Sequence, residues 1–169
     1  MATSQRRTMP MAKMLVAYHS RGGNTRKMAE LVGEGASSVD GVQVVLKPIG
    51  DVKPEELIEF DALVIGSPTY YGLPAATVKK LIDDSVAFHG QLEGKVGGAF
   101  SSSANIGGGN ETTIMAILQA LLIHGMVVHG DHRFDHYGPV SIGRPDKRSL
   151  ECCEAHARNL AALTKKLFP

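Results

Sequence analysis

The segment Tyr18-His19-Ser20-Arg21-Gly22-Gly23-Asn24-Thr25 follows an apolar run, Met14-Leu15-Val16-Ala17, and leads into a helical pattern. Strand, tight loop and helix start in that order aim several backbone N–H groups and the positive end of a helix dipole at one point. An anion is the guest that such a point selects. Ser20, Asn24 and Thr25 can add side-chain hydrogen bonds, while Gly22 and Gly23 tolerate the positive φ angles at which successive amides converge. A plain strand-to-helix turn capped by Asn24 or Thr25 would have the same composition. The Lys-Ser/Thr ending of a nucleoside-triphosphate loop is missing, and so is the G-x-G-x-x-G dinucleotide fingerprint. The expected anion is therefore neither ATP nor a pyrophosphate.

Two further stretches have the composition of ligand-facing loops. In Gly66-Ser67-Pro68-Thr69-Tyr70-Tyr71-Gly72-Leu73-Pro74, hydroxyls stand beside two stacking rings, in a chain whose aromatic content is only 5%. Ser101-Ser102-Ser103-Ala104-Asn105-Ile106-Gly107-Gly108-Gly109-Asn110 can bring backbone amides to a ring edge, because three glycines remove the side chains that would block approach. The bland alternatives are a proline-bounded turn whose tyrosines cover the next helix, and a flexible connector.

The elements that must carry these loops alternate. Apolar runs at 13–18, 42–46, 62–65, 96–100 and 126–128 read as strands covered on both faces, and helical patterns lie between them. The expected architecture is α/β, a three-layer sandwich with a five-stranded parallel sheet in the order 2-1-3-4-5. Thr25 to about Ser37 is an amphipathic surface helix with Met28, Leu31, Val32 and Ala36 on one stripe. Between Gly72 and Ser85, Pro74 occupies a first-turn position, and Ala75, Val78, Leu81 and Ile82 face inward. Asn110 to His124 is apolar enough to be deeply packed, with Gly125 as its cap. The last helix runs from about Lys147 to Leu167 on a stripe of Leu150, Cys153, Ala157, Leu160, Leu163 or Thr164, and Leu167. The stretch from Gly130 to Asp146 is irregular and splits or follows the fifth strand. In an open parallel sheet, loops at the carboxyl ends of the strands meet beside the switch point. The three loops then divide one ligand into a monophosphate anchor and a planar heterocycle, a division that flavin mononucleotide (FMN) fits.

Other classes are excluded by what is missing. A net charge of +1 without a dense basic stripe argues against nucleic acid as the main partner. The strand ends at Tyr18-His19-Ser20 and Gly66-Ser67 lack the carboxylates of a signalling receiver domain, and no cysteine lies near the phosphate loop to make a phosphatase. No metal-ligand spacing occurs among the histidines, so no metal is expected. Cys152 and Cys153 are adjacent on a helical pattern and form no structural bridge; Cys153 reads as a small core residue. Without a signal peptide or a membrane-length apolar run, the expected location is the cytoplasm. Residues 1–11 read as a flexible leader, and 12–169 as one domain.

At the residues quoted, the chain resembles the flavodoxin-like FMN proteins. Val16 through Ala29 matches their signature at nearly every defined position, Ala17 being smaller than usual. Gly66 to Gly72, with Phe100 to Ser103 and Gly107 to Glu111, is similar to the multimeric-flavodoxin branch, which includes the tryptophan-repressor-binding-protein-type NAD(P)H:quinone oxidoreductases. The likeness spans about Lys13 to Leu167. It implies an FMN cofactor, NAD(P)H as co-substrate, a quinone or similar acceptor, and a homodimer or homotetramer. The implied cofactor-binding residues are Ser20, Arg21, Gly22, Gly23, Asn24 and Thr25, then Pro68, Thr69, Tyr70, Tyr71 and Gly72, then Ser101, Ser102, Ser103, Ala104, Asn105, Gly107, Gly108 and Gly109. That branch carries a longer insertion around the fourth strand and a paired histidine before a Gly-Met turn. Here the turn reads Ile123-His124-Gly125-Met126, so the flavin-side histidine has no counterpart. Tyr71, His136 and Tyr137 are the candidates to border the reacting face, with a surface-loop histidine as the alternative for His136. The competing functions are a one-electron carrier, which a near-neutral chain without tryptophan fits poorly, and a regulatory or interaction protein on the same fold.

Overall fold

The computed structural model describes residues 11–169, and the expected leader at 1–11 lies outside them apart from Met11. Strand β1 (Ala12–Tyr18) is followed by helix α1 (Asn24–Ser37), β2 (Val42–Pro48), β3 (Ala62–Tyr70), β4 (Leu73–Pro74) and α2 (Ala76–Asp84). Then come β5 (Val96–Ser103), α3 (Asn110–Ile123), β6 (Val127–Val128), β7 (Val140–Ile142) and α4 (Lys147–Leu167).

The main sheet path is β2-β1-β3-β5-β6, with all neighbours parallel. Successive side chains of a strand point to opposite faces, and here both faces are apolar. Met14 and Val16 enter one core with Met28 and Val32 of α1 and Cys153 and Leu160 of α4. Leu15 and Ala17 enter the other with Val78 and Leu81 of α2 and Ile114, Ile117 and Leu121 of α3. Each fully buried aliphatic side chain contributes roughly 1.5–3 kcal/mol, and two such layers explain the continuous apolar strands. The layers are α1/α4, sheet and α2/α3.

Several sequence expectations need correction. The described sheet has seven strands, not five. β3 runs on to Tyr70 and turns back as the antiparallel β4. The fifth parallel position is divided in two: β6 pairs with Val96 and Gly97 at the start of β5, and β7 with Ser101 to Ser103 at its end. Between them Gly138 sits so tightly on Ala99 that a Cβ would strike its carbonyl oxygen. Pro74 belongs to β4 rather than to the first turn of a helix, and α2 begins at Ala76. A proline is tolerated in so short an edge strand, where no ladder donor is needed.

Helix α3 ends as expected. Gly125 has φ 77° and donates to Leu122, and Met126 donates to Leu121, a Schellman closure. The helix is not packed all round, however, since Leu122 and Ile123 are 54% and 74% exposed. On α4, Asp146 caps the first turn by accepting from the Ser149 amide at 2.8 Å. Cys152 and Cys153 are both free and buried, and burial pushes the Cys153 thiol up to about 12. Leu167 is exposed, and Phe168 packs on the core in its place.

Candidate functional site

The phosphate-type loop is built by local geometry. Gly23, at φ 90°, is the cap residue of α1, and its amide donates to Ser20 Oγ at 3.1 Å, which closes the loop on itself. The first helical bond runs from Lys27 N–H to the Gly23 carbonyl at 3.0 Å. The amides of Asn24, Thr25 and Arg26 therefore have no helical acceptor, and none finds another among the described residues. The first turn of α1 carries no acidic residue to neutralise them. Thr25 is only 1% exposed, and its hydroxyl meets Ser102 Oγ of β5 at 2.9 Å. That contact joins the first loop to the third.

The other two loops are fastened to each other. Tyr71 and Gly72, at φ 53° and 77°, form the two-residue turn between β3 and β4, the pairing of positive angles that a type I′ hairpin requires. Tyr71 is fully exposed in that conformation, which costs a non-glycine residue about 1 kcal/mol. Thr69 Oγ1 donates to the Gly109 carbonyl at 3.0 Å and accepts from Thr113 Oγ1 at 2.8 Å. The Thr112 hydroxyl lies 2.7 Å from the Gly72 carbonyl and 2.9 Å from that of Gly109. Gly109 has φ 96°, and a Cβ on it would stand 2.6 Å from Gly72 Cα. Its missing side chain thus serves the approach of loop to loop. Behind them, Ser67 Oγ accepts from the Ala75 amide at 2.9 Å and fixes the return of the chain into α2.

Together the three loops enclose a cavity of about 370 Å3. Of the residues singled out from sequence, Ser20, Arg21, Gly22, Asn24 and Thr25 line it from the α1 side. Pro68, Thr69 and Tyr70 line it from β3, and Ser102, Ser103 and Ala104 from β5. Among the described residues its wall contains one cation, Arg21, and no carboxylate, so its electrostatics favour an anion at the α1 end. Gly23 lines the neighbouring cavity with His19 and Arg26. Tyr71, Gly72, Asn105, Gly107, Gly108 and Gly109 shape the loops without forming the wall, and Ser101 is fully buried beneath it.

Sequence reasoning missed three residues here. Gly143 closes the wall from the segment after β7, its amide donating to the Ser103 carbonyl at 2.6 Å. Thr112 and Thr113 are polar positions inside an apolar helix pattern; that interruption was the available signal. His136 and Tyr137 stand outside the wall. The His136 ring bonds through Nδ1 to the Asp131 carbonyl at 2.8 Å, and Tyr137 is half exposed. Their loop is tied to α4 by Arg148, which donates to Asp135 at 2.8 Å and to the Val140 carbonyl at 3.0 Å.

Comparison with known proteins gives a consistent set of relatives. Residues 54–136 match the family described as NADPH-dependent FMN reductase. A flavodoxin from Aquifex aeolicus is 42% identical over 159 residues, covering 89% of this chain and 86% of its own. An NAD(P)H dehydrogenase (quinone) from Archaeoglobus fulgidus is 30% identical over 191 residues, covering 93% and 100%. Among solved structures, a WrbA-like flavodoxin from Agrobacterium tumefaciens superposes with a TM-score of 0.77 at 26% identity, over 92% of this chain and 98% of that one.

Proposed function

The chain belongs to the flavodoxin-like FMN proteins, and on that premise we propose that it holds FMN in the three-loop cavity and acts as an oxidoreductase, passing electrons from NAD(P)H to a quinone or similar small acceptor. The observation that carries this reading is the set of unpartnered amides at the start of α1, with Arg21 and Thr25 beside them, at one end of a cavity free of carboxylates. A phosphate monoester satisfies those donors. Thr69, Tyr70 and the Ser102 to Ala104 segment supply a polar edge and an aromatic face for a flat ring at the other end.

When bound, the flavin supplies the redox chemistry, accepting a hydride and releasing electrons. The protein places it. The hydroxyl stitching between Thr69, Thr112, Thr113 and Gly109 fixes the ring-side loops. The exposed Tyr71, strained at the tip of its turn, borders the open face where a nicotinamide or quinone would stack. His136 and Tyr137, likewise outside the wall, stay secondary candidates.

The FMN-loaded protein should be yellow and should oxidise NADPH when a benzoquinone is added, in a steady-state absorbance assay. A protein that stays colourless after reconstitution would sink the proposal. The Aquifex relative's name favours a second reading, a one-electron carrier. Negligible NAD(P)H turnover, with two electrons entering at well-separated potentials in a redox titration, would select it.

A further inference from the structure

We propose that His19 is a positioning residue for the Tyr70 ring in the cofactor cavity, and that Thr77 of α2 holds it to that task; this rests on the three-loop cavity being a flavin site. Among the described residues Tyr70 is the one aromatic side chain in the cavity wall, and it is 40% exposed. It ends β3, beside the strained Tyr71, and the stitching from α3 reaches its neighbours Thr69 and Gly72 rather than Tyr70 itself. A wall residue keeps one orientation only if something packs against it. The His19 ring does so. The two rings cross at 75° with their centroids 6.1 Å apart, the edge-to-face arrangement that aromatic pairs favour.

His19 is in turn fixed at its backbone and at its ring. It directly follows β1, and its amide donates to the Gly66 carbonyl of β3 at 2.9 Å. Its Nδ1 lies 3.0 Å from Thr77 Oγ1 in the first turn of α2. A hydrogen bond at one ring nitrogen sets the orientation of the whole imidazole. His19 lines the adjoining cavity of about 360 Å3, which shares Ser20 and Arg21 with the cofactor cavity, so the His19–Tyr70 pair stands where the two meet. The ring-side loop is thus braced from two directions: by α3 through Thr69 and Gly72, and by α2 through Thr77, His19 and Tyr70.

An aromatic ring stacked on a flavin quenches its emission, so the fluorescence of bound FMN reports on Tyr70. In the FMN-loaded full chain, Tyr70→Leu should raise that emission. His19→Ala should raise it as well and weaken FMN binding roughly threefold to tenfold, the worth of one edge-to-face contact. Thr77→Val, at an exposed position outside the cavity wall, should act in the same direction to a smaller extent. In the Tyr70→Leu background neither substitution should change the emission further, because groups that act through one another are not additive. Before FMN is added, His19→Ala should also shift the Tyr70 ring-proton resonances, a ring-current signature that needs no cofactor. That shift in a protein unable to bind FMN would support the contact while overturning the flavin site. Unmoved Tyr70 resonances, emission that His19→Ala and Thr77→Val leave unchanged, or an equal rise in the Tyr70→Leu background would overturn the proposal.

Discussion

The two ends of the cavity are held by different means. At the α1 end, contiguous residues do the work: eight positions from Tyr18 to Thr25 make the strand end, the turn and the exposed amides, with Thr25 buried at 1% exposure. At the other end, residues some 40 positions apart must meet, Thr69 with Gly109 and Gly72 with Thr112, and the tyrosines they support are 40% and 106% exposed. The anchor is local, with one hydroxyl buried at its base, whereas the ring side is long-range and open. On the function proposed above, affinity for the cofactor would reside at the first end and reactivity at the second.

Four measurements test that contrast. The largest effect is expected for Thr25→Glu, which sets a carboxylate among the helix-start amides; FMN affinity by fluorescence titration should fall at least about a thousandfold, ~4 kcal/mol. Unchanged affinity would remove the anchor from α1. Next, the α4 side of the core should make the whole fold sensitive to pH. Burial holds His156 at about 4, well under its ordinary 6.5, and neither ring nitrogen has a partner among the described residues. The unfolded chain binds that proton below pH 6.5 and the folded chain only below about 4. Stability should therefore fall by roughly 3 kcal/mol as pH drops across that window. Urea unfolding at a series of pH values checks this, and His156→Leu should flatten the slope.

Smaller and confined to the ring side, Gly109→Ala would force a Cβ onto Gly72 Cα. It should cost about 2 kcal/mol in thermal unfolding and lower quinone turnover more than FMN affinity. The smallest change is Tyr71→Gly, which relieves the left-handed tyrosine. It should stabilise the protein by about 1 kcal/mol and yet reduce turnover with NADPH and benzoquinone; a stabilised variant at full rate would take Tyr71 out of the reacting face.

The same contrast decides what could be read from sequence. The α1 loop was legible because strand, turn and helix start are consecutive, and apolar residues on both faces of the strands revealed two covering layers. The stitching by Thr112 and Thr113 was not, since hydroxyls within an apolar helix give no sign of a partner 40 residues away. Pro74 looked the same in a first turn as in an edge strand, and only its pairing with Thr69 separates the two. Gly143 reaches the cavity wall because β7 aligns with the end of β5, a register that no local pattern records. Leu122 and Ile123 were expected inside because hydrophobicity asks for cover without specifying whose.

The divided strand carries a consequence for how such a protein can change. β6 and β7 each hold their own short stretch of β5 and do not depend on each other for alignment. The chain between them is pinned separately, by Gly138 against Ala99 and by Arg148 and Asn159 of α4 holding Asp135 and Asp131, so a change in it that keeps these anchors leaves the sheet in step. Variation in the remaining positions can therefore accumulate without moving the strand ends that carry the three-loop cavity.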